Sequence, residues 1–340
     1  MATLDEFLED SERAGYVGPA VVLTVRFLAG AAAELAANIA DGDSCASHAQ
    51  EGETNVQGET QKLLDVLSHN HFVSAAKASP IRFLLSEEED EPVPIAPGGE
   101  LDLAIDPLDG SSNIAINAPI GTIFALYPAV TGEAAAQFLR AGRDLSAAGY
   151  VIYGPRTELV LSLGAGTFRF ALNGDRSRWV AMGQCTVPAS SNEFAINASN
   201  HRHWPGNIRA FVNACLDGKR GKFGADYNMR WLAALVGETH RIITRGGLFI
   251  YPEDSRKGYE RGRLRYCYEC APISFLIENA GGTATDGKRR LLDVTPDSLH
   301  ARTPFCFGSA QQMELLAASR DEFAADSPLF SDRGFFRAEA

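Results

Sequence analysis

The segment Leu101-Asp-Leu-Ala-Ile-Asp-Pro-Leu-Asp-Gly-Ser-Ser-Asn113 constrains this chain more than any other. Leu101–Ile105 is an apolar run of strand character that delivers Asp106, and Pro107 follows at once. Proline has no N–H to donate to a ladder, so the strand is expected to end and the chain to turn there. The flanking sequence alternates strand and helix patterns. Ala20–Ile39 carries a broad apolar helical stripe (Val22, Val25, Phe27, Leu28, Ala32, Leu35), and Gln61–His69 reads as a second helix. Ile81–Leu85 and Gly121–Ala129 read as strands, as do Ser190–Ala198, Thr239–Thr244 and Leu248–Tyr251. Further helices are expected over Asn207–Leu216, Tyr227–Val236, Ile273–Ala280 (ended by Gly281-Gly282) and Met313–Ala318. Such alternation implies an α/β or layered α/β/α class. At 340 residues the chain has room for about two domains, which we divide as 1–189 and 190–340.

Charge narrows the partners. With 31 Lys+Arg against 43 Asp+Glu the net charge is −12, which gives no general attraction for nucleic acid or anionic lipid. Any phosphate must be captured locally. Arg26 and Glu34 interrupt Ala20–Ile39, so a buried core helix is expected there and not a membrane span. The acidic start, Met1–Asp10, lacks the basic and apolar character of a leader, and a cytoplasmic location is expected. Six scattered Cys (45, 185, 215, 267, 270, 306) make no disulfide framework, so reduced thiols are expected. From Asp41 to Thr60 there is almost nothing to bury, and the stretch reads as a functional lid.

The chemistry is concentrated after Ile105. Asp106 and Asp109, three residues apart at a turn, converge on one point with the Leu108 carbonyl between them. All-oxygen ligation suits a hard divalent cation, Mg²⁺ or Mn²⁺. Gly110-Ser111-Ser112 then offers backbone N–H groups and two hydroxyls at an expected helix N-terminus, where the dipole favours an anion. An ordinary capped turn uses the same residue types. What weighs against it is company: Ser86-Glu87-Glu88 follows an apolar run, and Glu269 lies between Tyr268 and Cys270. Hydrolysis of a phosphate monoester needs acceleration towards ~10²¹-fold, on the order of 28 kcal/mol. Paired metals about 3.5–4 Å apart, held by several acids, supply that kind of stabilisation.

Glu87-Glu88, Asp106-Pro-Leu-Asp-Gly-Ser-Ser-Asn113, Gly121-Thr-Ile-Phe124, Gly149-Tyr-x-x-Tyr-Gly154, Gly247-x-Phe-x-Tyr-Pro252, Tyr268-Glu-Cys-x-Pro272, Ala280-Gly-Gly282 and Leu292-Asp-Val294 resemble class I fructose-1,6-bisphosphatase, collinearly over about residues 4 to 320. The resemblance implies a layered α/β/α/β/α sugar-phosphatase fold with two mixed sheets. It implies Mg²⁺-dependent removal of the 1-phosphate of fructose 1,6-bisphosphate by in-line attack of an activated water, in gluconeogenesis or the Calvin cycle. By the same resemblance Glu87, Asp106, Asp109, Glu269 and the Leu108 carbonyl ligate metal, while Ser111, Ser112 and the Gly110 backbone hold the reacting phosphate beside Asp109 and Glu269. Glu59, in a loop with Asn55, together with Asp65 and Glu88 would position metal and water, although Glu59 stands where Asp is commoner in the family. Asn197, Tyr251 and Arg263 would line the distal phosphate pocket, with Arg263 replacing the usual Lys. Arg230 resembles an arginine supplied by a neighbouring subunit, which implies a homo-oligomer, usually a tetramer. Asn197-Ala-Ser-Asn200 lacks the family's tyrosine. The family's AMP site resembles nothing intact here: its Gly-Thr-Gly-Glu-Leu turn is missing near Tyr16-Val-Gly18, Glu100-Leu101 replaces a Lys-Tyr pair, and only Arg143 survives. AMP inhibition is expected to be weak or absent.

Three rivals stay open. Sedoheptulose 1,7-bisphosphate shares the reacting end. An inositol or nucleotide monophosphatase would not need Arg230, Arg263 and Tyr251. An inactive sugar-phosphate binder would gain little from so many crowded acids. His201-Arg-His203 reads as a loop, Gly164-Ala-Gly166 lacks the context of a dinucleotide fingerprint, and Asp226 reads as helix-start chemistry.

Overall fold

We describe the fold from a computed structural model that defines residues 2–41, 51–54 and 60–325. Thr3 and Glu6 exchange side-chain and backbone bonds in a capping box that opens α1 (Leu4–Arg13). α2 (Pro19–Asp41) follows; β1 (Glu51–Thr54) and β2 (Thr60–Lys62) pair antiparallel ahead of α3 (Leu63–Lys77). The larger sheet is built from β3 (Ile81–Ser86), β4 (Val93–Pro94), β5 (Leu101–Asp109), β6 (Ile120–Pro128), β7 (Ala147–Tyr153), β8 (Thr157–Ser162), β9 (Thr167–Leu172) and β10 (Trp179–Cys185). Its order is β10-β9-β8-β7-β6-β5-β3-β4, with only β3 and β5 parallel.

The second half contributes β11 (Glu193–Ala195), α4 (Gly206–Leu216), β12 (Asn228–Met229), α5 (Leu235–Arg245), β13 (Leu248–Tyr251), β14 (Leu264–Arg265), α6 (Ala271–Asn279), β15 (Thr283–Thr285), β16 (Arg302–Thr303), β17 (Phe305–Gly308) and α7 (Ala310–Ala325). Here the sheet runs β12-β11-β13-β17-β15 and is again mixed.

Burial explains the stacking. Leu8, Val25, Leu28 and Phe72 of α1–α3 pack on Leu103, Ile105, Phe124 and Leu126 of the larger sheet. On its opposite face Ala104, Ile123, Ala125 and Tyr150 meet Val236 and Ile242 of α5 and Ile273 and Leu276 of α6, which in turn meet Phe249 and Phe307 of the second sheet. Phe211, Val212, Met313 and Leu316 of α4 and α7 close the far side. Each Val, Leu, Ile, Phe or Met among these contributes about 1.5–3 kcal/mol on full burial. The result is the expected α/β/α/β/α layering. α2 is long and apolar enough to cross a membrane, yet 56% of its most apolar window is buried inside the fold. Its Arg26 leaves the core to pair with Asp5 and Glu9 of α1.

Several local expectations are corrected. β5 does not stop at Asp106: its ladder with β6 shifts register between Asp106 and Asp109 and resumes with Asp109 opposite Gly121. Pro107 falls inside this bulge, where no ladder donor is required. The turn comes one step later, at Gly110 with φ 78, and leads into a six-residue 3₁₀ turn, Ser111–Ile116, in place of an α-helix. A Cβ at Gly110 would lie 2.9 Å from that of Ala234, so this close approach requires glycine. Tyr227–Val236 is not a helix but β12 followed by non-helical chain to Ala234, and Thr239–Thr244 is not a strand but part of α5. Leu235, Val236, Thr239, Ile242 and Ile243 are buried at helical spacing, and that face outweighs the β-branched content. Ser190–Ala198 shrinks to the three residues of β11. The helix begun at Gln61 runs instead from Leu63 to Lys77. Cys185, Cys215, Cys267, Cys270 and Cys306 are free, and Cys45 lies outside the described residues.

Candidate active site

The middle of the stack, where β5 ends and α5 and α6 begin, holds a cavity of about 510 Å³. It is lined by most of the residues singled out in the sequence: Asp65, Glu87, Glu88, Asp106, Leu108, Asp109, Gly110, Ser111, Ser112, Asn197, Tyr251, Arg263 and Glu269.

Local structure explains the convergence. Glu87 and Glu88 leave the end of β3, and the Glu87 N–H donates to Ile105 O of the parallel β5 at 3.0 Å. Asp106 and Asp109 flank the bulge, with Asp106 Oδ1 accepting from Leu108 N at 3.0 Å. Glu269 is carried by a π-turn, Tyr266–Cys270, that runs into α6, where Pro272 occupies a first-turn position needing no N–H. Asp65 sits buried in the first turn of α3.

One carboxylate oxygen each from Asp106, Asp109 and Glu269 lies within 4.8 Å of the others, all three residues buried. Burial, then Glu87 and the other neighbouring acids, pushes the Asp106 carboxyl well above the carboxylate range. Burial also raises Asp109, to about 6, against the opposing N–H groups of Val236 and Leu235. Glu269 is raised by burial and by Glu87, with Arg265 opposing. Three buried acids in mutual contact are costly as anions without a cation between them. This donor set fits a hard divalent cation, and Glu87 and Leu108 line the same cavity.

Arg265 was not singled out from sequence. Its guanidinium pairs with Glu87 and its N–H donates to Glu269 Oε2 at 2.6 Å, so one residue orients two acids. A cation four residues before Glu269 was the available signal. Trp231, Ala233 and Glu238 also line the cavity and were likewise missed.

At the other end Arg263 lies against Tyr251 and over the Tyr259 ring, 5.0 Å from its centroid. Asn197 caps a 3₁₀ turn, accepting from Ser199 N at 3.2 Å. His201 and His203 belong to that turn, and Asp226 accepts the N–H of Lys219, in the short 3₁₀ turn Gly218–Arg220, at 3.1 Å and not at a helix beginning with Tyr227. Arg230 does not line the cavity: it is half exposed, 3.6 Å from Glu193. Glu59 and Asn55 lie outside the described residues. Arg143 pairs with Asp293 at 2.9 Å.

Comparison with known proteins identifies relatives along most of the chain. The family description "Fructose-1-6-bisphosphatase, N-terminal domain" matches residues 21–184, and "Fructose-1-6-bisphosphatase, C-terminal domain" matches 187–321. A "Fructose-1,6-bisphosphatase class 1 1" of Cereibacter sphaeroides is 54% identical over 287 residues, 84% of this chain and 86% of that one. One from a Bradyrhizobium species is 46% identical over 337 residues, 99% of this chain and 98% of its own length. Among solved structures, Leishmania major fructose-1,6-bisphosphatase in holo form matches with TM-score 0.86 and 28% identity, covering 94% of this chain and 99% of that chain. Its apo form gives TM-score 0.82. Two adjoining domain matches across most of the sequence, and relatives this similar along nearly their whole length, place the chain in the class 1 fructose-1,6-bisphosphatase family.

Proposed function

We propose that this chain hydrolyses fructose 1,6-bisphosphate at its 1-phosphate, in the cavity where β5, α5 and α6 meet. The observation that carries this reading is the clustering of Asp106, Asp109 and Glu269 beside Gly110-Ser111-Ser112 in one cavity. The family is metal-dependent and acts on a sugar bisphosphate.

Glu87, Asp106, Asp109, Glu269 and the Leu108 carbonyl would hold the cation, which we take to be Mg²⁺. Bound there, it supplies neutralisation of phosphate charge and a lowered water pKa. Gly110 N–H and the Ser111 and Ser112 hydroxyls donate to the reacting phosphate and fix its orientation. Asp65 and Glu88 face the same space and accept the proton of the attacking water, with Glu59 assigned to the same end by resemblance alone. Asn197, Tyr251 and Arg263 hold the distal phosphate; the Arg263 fork grips it bidentately. Arg230, half exposed and not among the residues that line its own cavity, would serve a second copy, in keeping with a tetramer. A cytoplasmic location and a division near residue 190 complete the proposal; the division is supported by the change of sheet between Cys185 and Glu193.

A phosphate-release screen tests it. Fructose 1,6-bisphosphate, sedoheptulose 1,7-bisphosphate, inositol 1-phosphate and 3′-phosphoadenosine 5′-phosphate are each offered with and without Mg²⁺. The fructose bisphosphate should be turned over best and only with the cation. Preference for a monophosphate would overturn the reading, and preference for the heptulose would move it to the longer sugar.

A further inference from the structure

Between β12 and α5 the chain runs through Arg230-Trp-Leu-Ala-Ala234, of which Trp231, Ala233 and Ala234 line the cavity. This segment has little regular structure to hold it, and Ala233 adopts φ 57, a left-handed conformation unusual for a residue with a Cβ. Such a conformation persists where its surroundings over-determine it. The determinants are visible. The Arg230 N–H donates to Phe194 O at 2.7 Å, and at the other end the Val236 N–H donates to Asp109 Oδ2 at 2.8 Å. Between them the Leu232 peptide is gripped on both sides. Its N–H donates to Glu238 Oε1 at 2.6 Å, and its carbonyl accepts from Asn113 Nδ2 at 3.2 Å. Asn113 belongs to the turn that follows Ser111 and Ser112.

Glu238 is itself held. Its other oxygen accepts from Arg241 Nη2 at 3.1 Å and Nε at 3.2 Å, and Arg241 Nη1 reaches Glu193 of β11 at 3.1 Å. The carboxylates of Glu238 and Glu193 are nearly fully buried, so this Glu–Arg–Glu chain makes a fixed strut between α5 and the second sheet. Next to the gripped Leu232 stands Trp231. Trp231 lies parallel to Phe249 (centroids 6.1 Å apart, 6° between planes) and beside Tyr251 at 6.1 Å, forming an aromatic wall of the cavity.

We infer that Glu238 is a positioning residue for substrate: through the Leu232 peptide it sets the Trp231 wall at a fixed distance from the Ser111-Ser112 turn. This inference rests on the hydrolytic reading of the same cavity. A wall that meets the sugar without touching the reacting phosphorus contributes equally in ground and transition states, so its displacement weakens binding and spares the chemical step.

The test is Glu238→Gln in the full-length protein, with Glu238→Asp beside it. Gln can keep an oxygen for Leu232 but turns its NH₂ towards the Arg241 donors, and Asp is too short to span Leu232 and Arg241, so the two break the strut by different routes. Both should raise KM for fructose 1,6-bisphosphate about tenfold while kcat stays within about threefold. Acrylamide quenching of Trp231, taken as the difference from the matching Trp231→Phe protein, should increase in both. A fall in kcat at constant KM, or unchanged KM and quenching, overturns the inference, and circular dichroism and a melting temperature matching wild type exclude a mere folding defect. Quenching needs no turnover, so the inference is decided even if wild type released no phosphate; that result would instead remove the hydrolytic reading.

Discussion

Asp109 performs two tasks with one carboxylate. Oδ2 accepts the Val236 N–H at the start of α5, and one of its oxygens also belongs to the buried acid cluster. Asn at this position keeps an acceptor for the helix but removes a charge from the cluster. Asp109→Asn should therefore lower Mg²⁺-dependent phosphate release by at least about a hundredfold. Its circular dichroism should match wild type, while the rise in melting temperature that Mg²⁺ gives wild type should largely disappear. Near-normal turnover would remove Asp109 from the metal site. Asp106, Asp109, Ser111 and Ser112 were legible in sequence because the bulge and turn bring neighbours together within a few residues. Arg265 was not, because its partner Glu87 is 178 residues away along the chain.

At the scale of elements, α5 shows why a helix was misread. Its N-cap residue is Ala234, which has no side-chain cap, so no Ser, Thr, Asp or Asn marks the boundary. The cap arrives from β5 as Asp109, and Glu238 reaches back to Leu232. Gly121 lets β6 and α5 approach: a Cβ there would stand 2.6 Å from Val236 Cγ2. Further along α5, His240 is partly buried against the larger sheet, with Tyr150 OH 3.1 Å from Nδ1 and Glu158 Oε2 3.5 Å from Nε2. Burial holds its pKa below the usual histidine value; Glu158 opposes this, and Arg169 and Arg156 add to it. A depressed folded pKa means the unfolded chain takes up the proton first. The stability gained from neutral His240 is thus complete above about pH 6.5 and is lost as pH falls through the folded pKa. The difference in melting temperature between wild type and His240→Gln should accordingly shrink from pH 8 to pH 5. A difference independent of pH would show that His240 is not buried neutral.

For the whole molecule, charge placement separates what acts within one chain from what acts between chains. Arg230 lies outside its own cavity, so Arg230→Ala should raise KM for the bisphosphate about tenfold with little change in kcat if a second copy uses it. An unchanged KM would count against a shared pocket. Away from the cavity, Glu100 stands where the resemblance calls for a phosphate-binding lysine, and Arg143 is engaged by Asp293. A carboxylate repels a nucleotide phosphate. AMP should leave phosphate release unchanged, and inhibition at micromolar AMP would overturn this account of those positions.

The α/β class, the acidic turn from Asp106 to Ser112 and the family were all legible in the sequence, because each is written in short-range patterns: apolar periodicity, a proline after an acid, glycine and serines after a second acid. Only the tertiary structure decided that β5 bulges past Pro107, that 239–244 is helical, and that Arg265 and Glu238 hold the site in place. Those outcomes depend on partners from distant segments, whose burial and hydrogen bonds outweigh local preference once the layers are stacked.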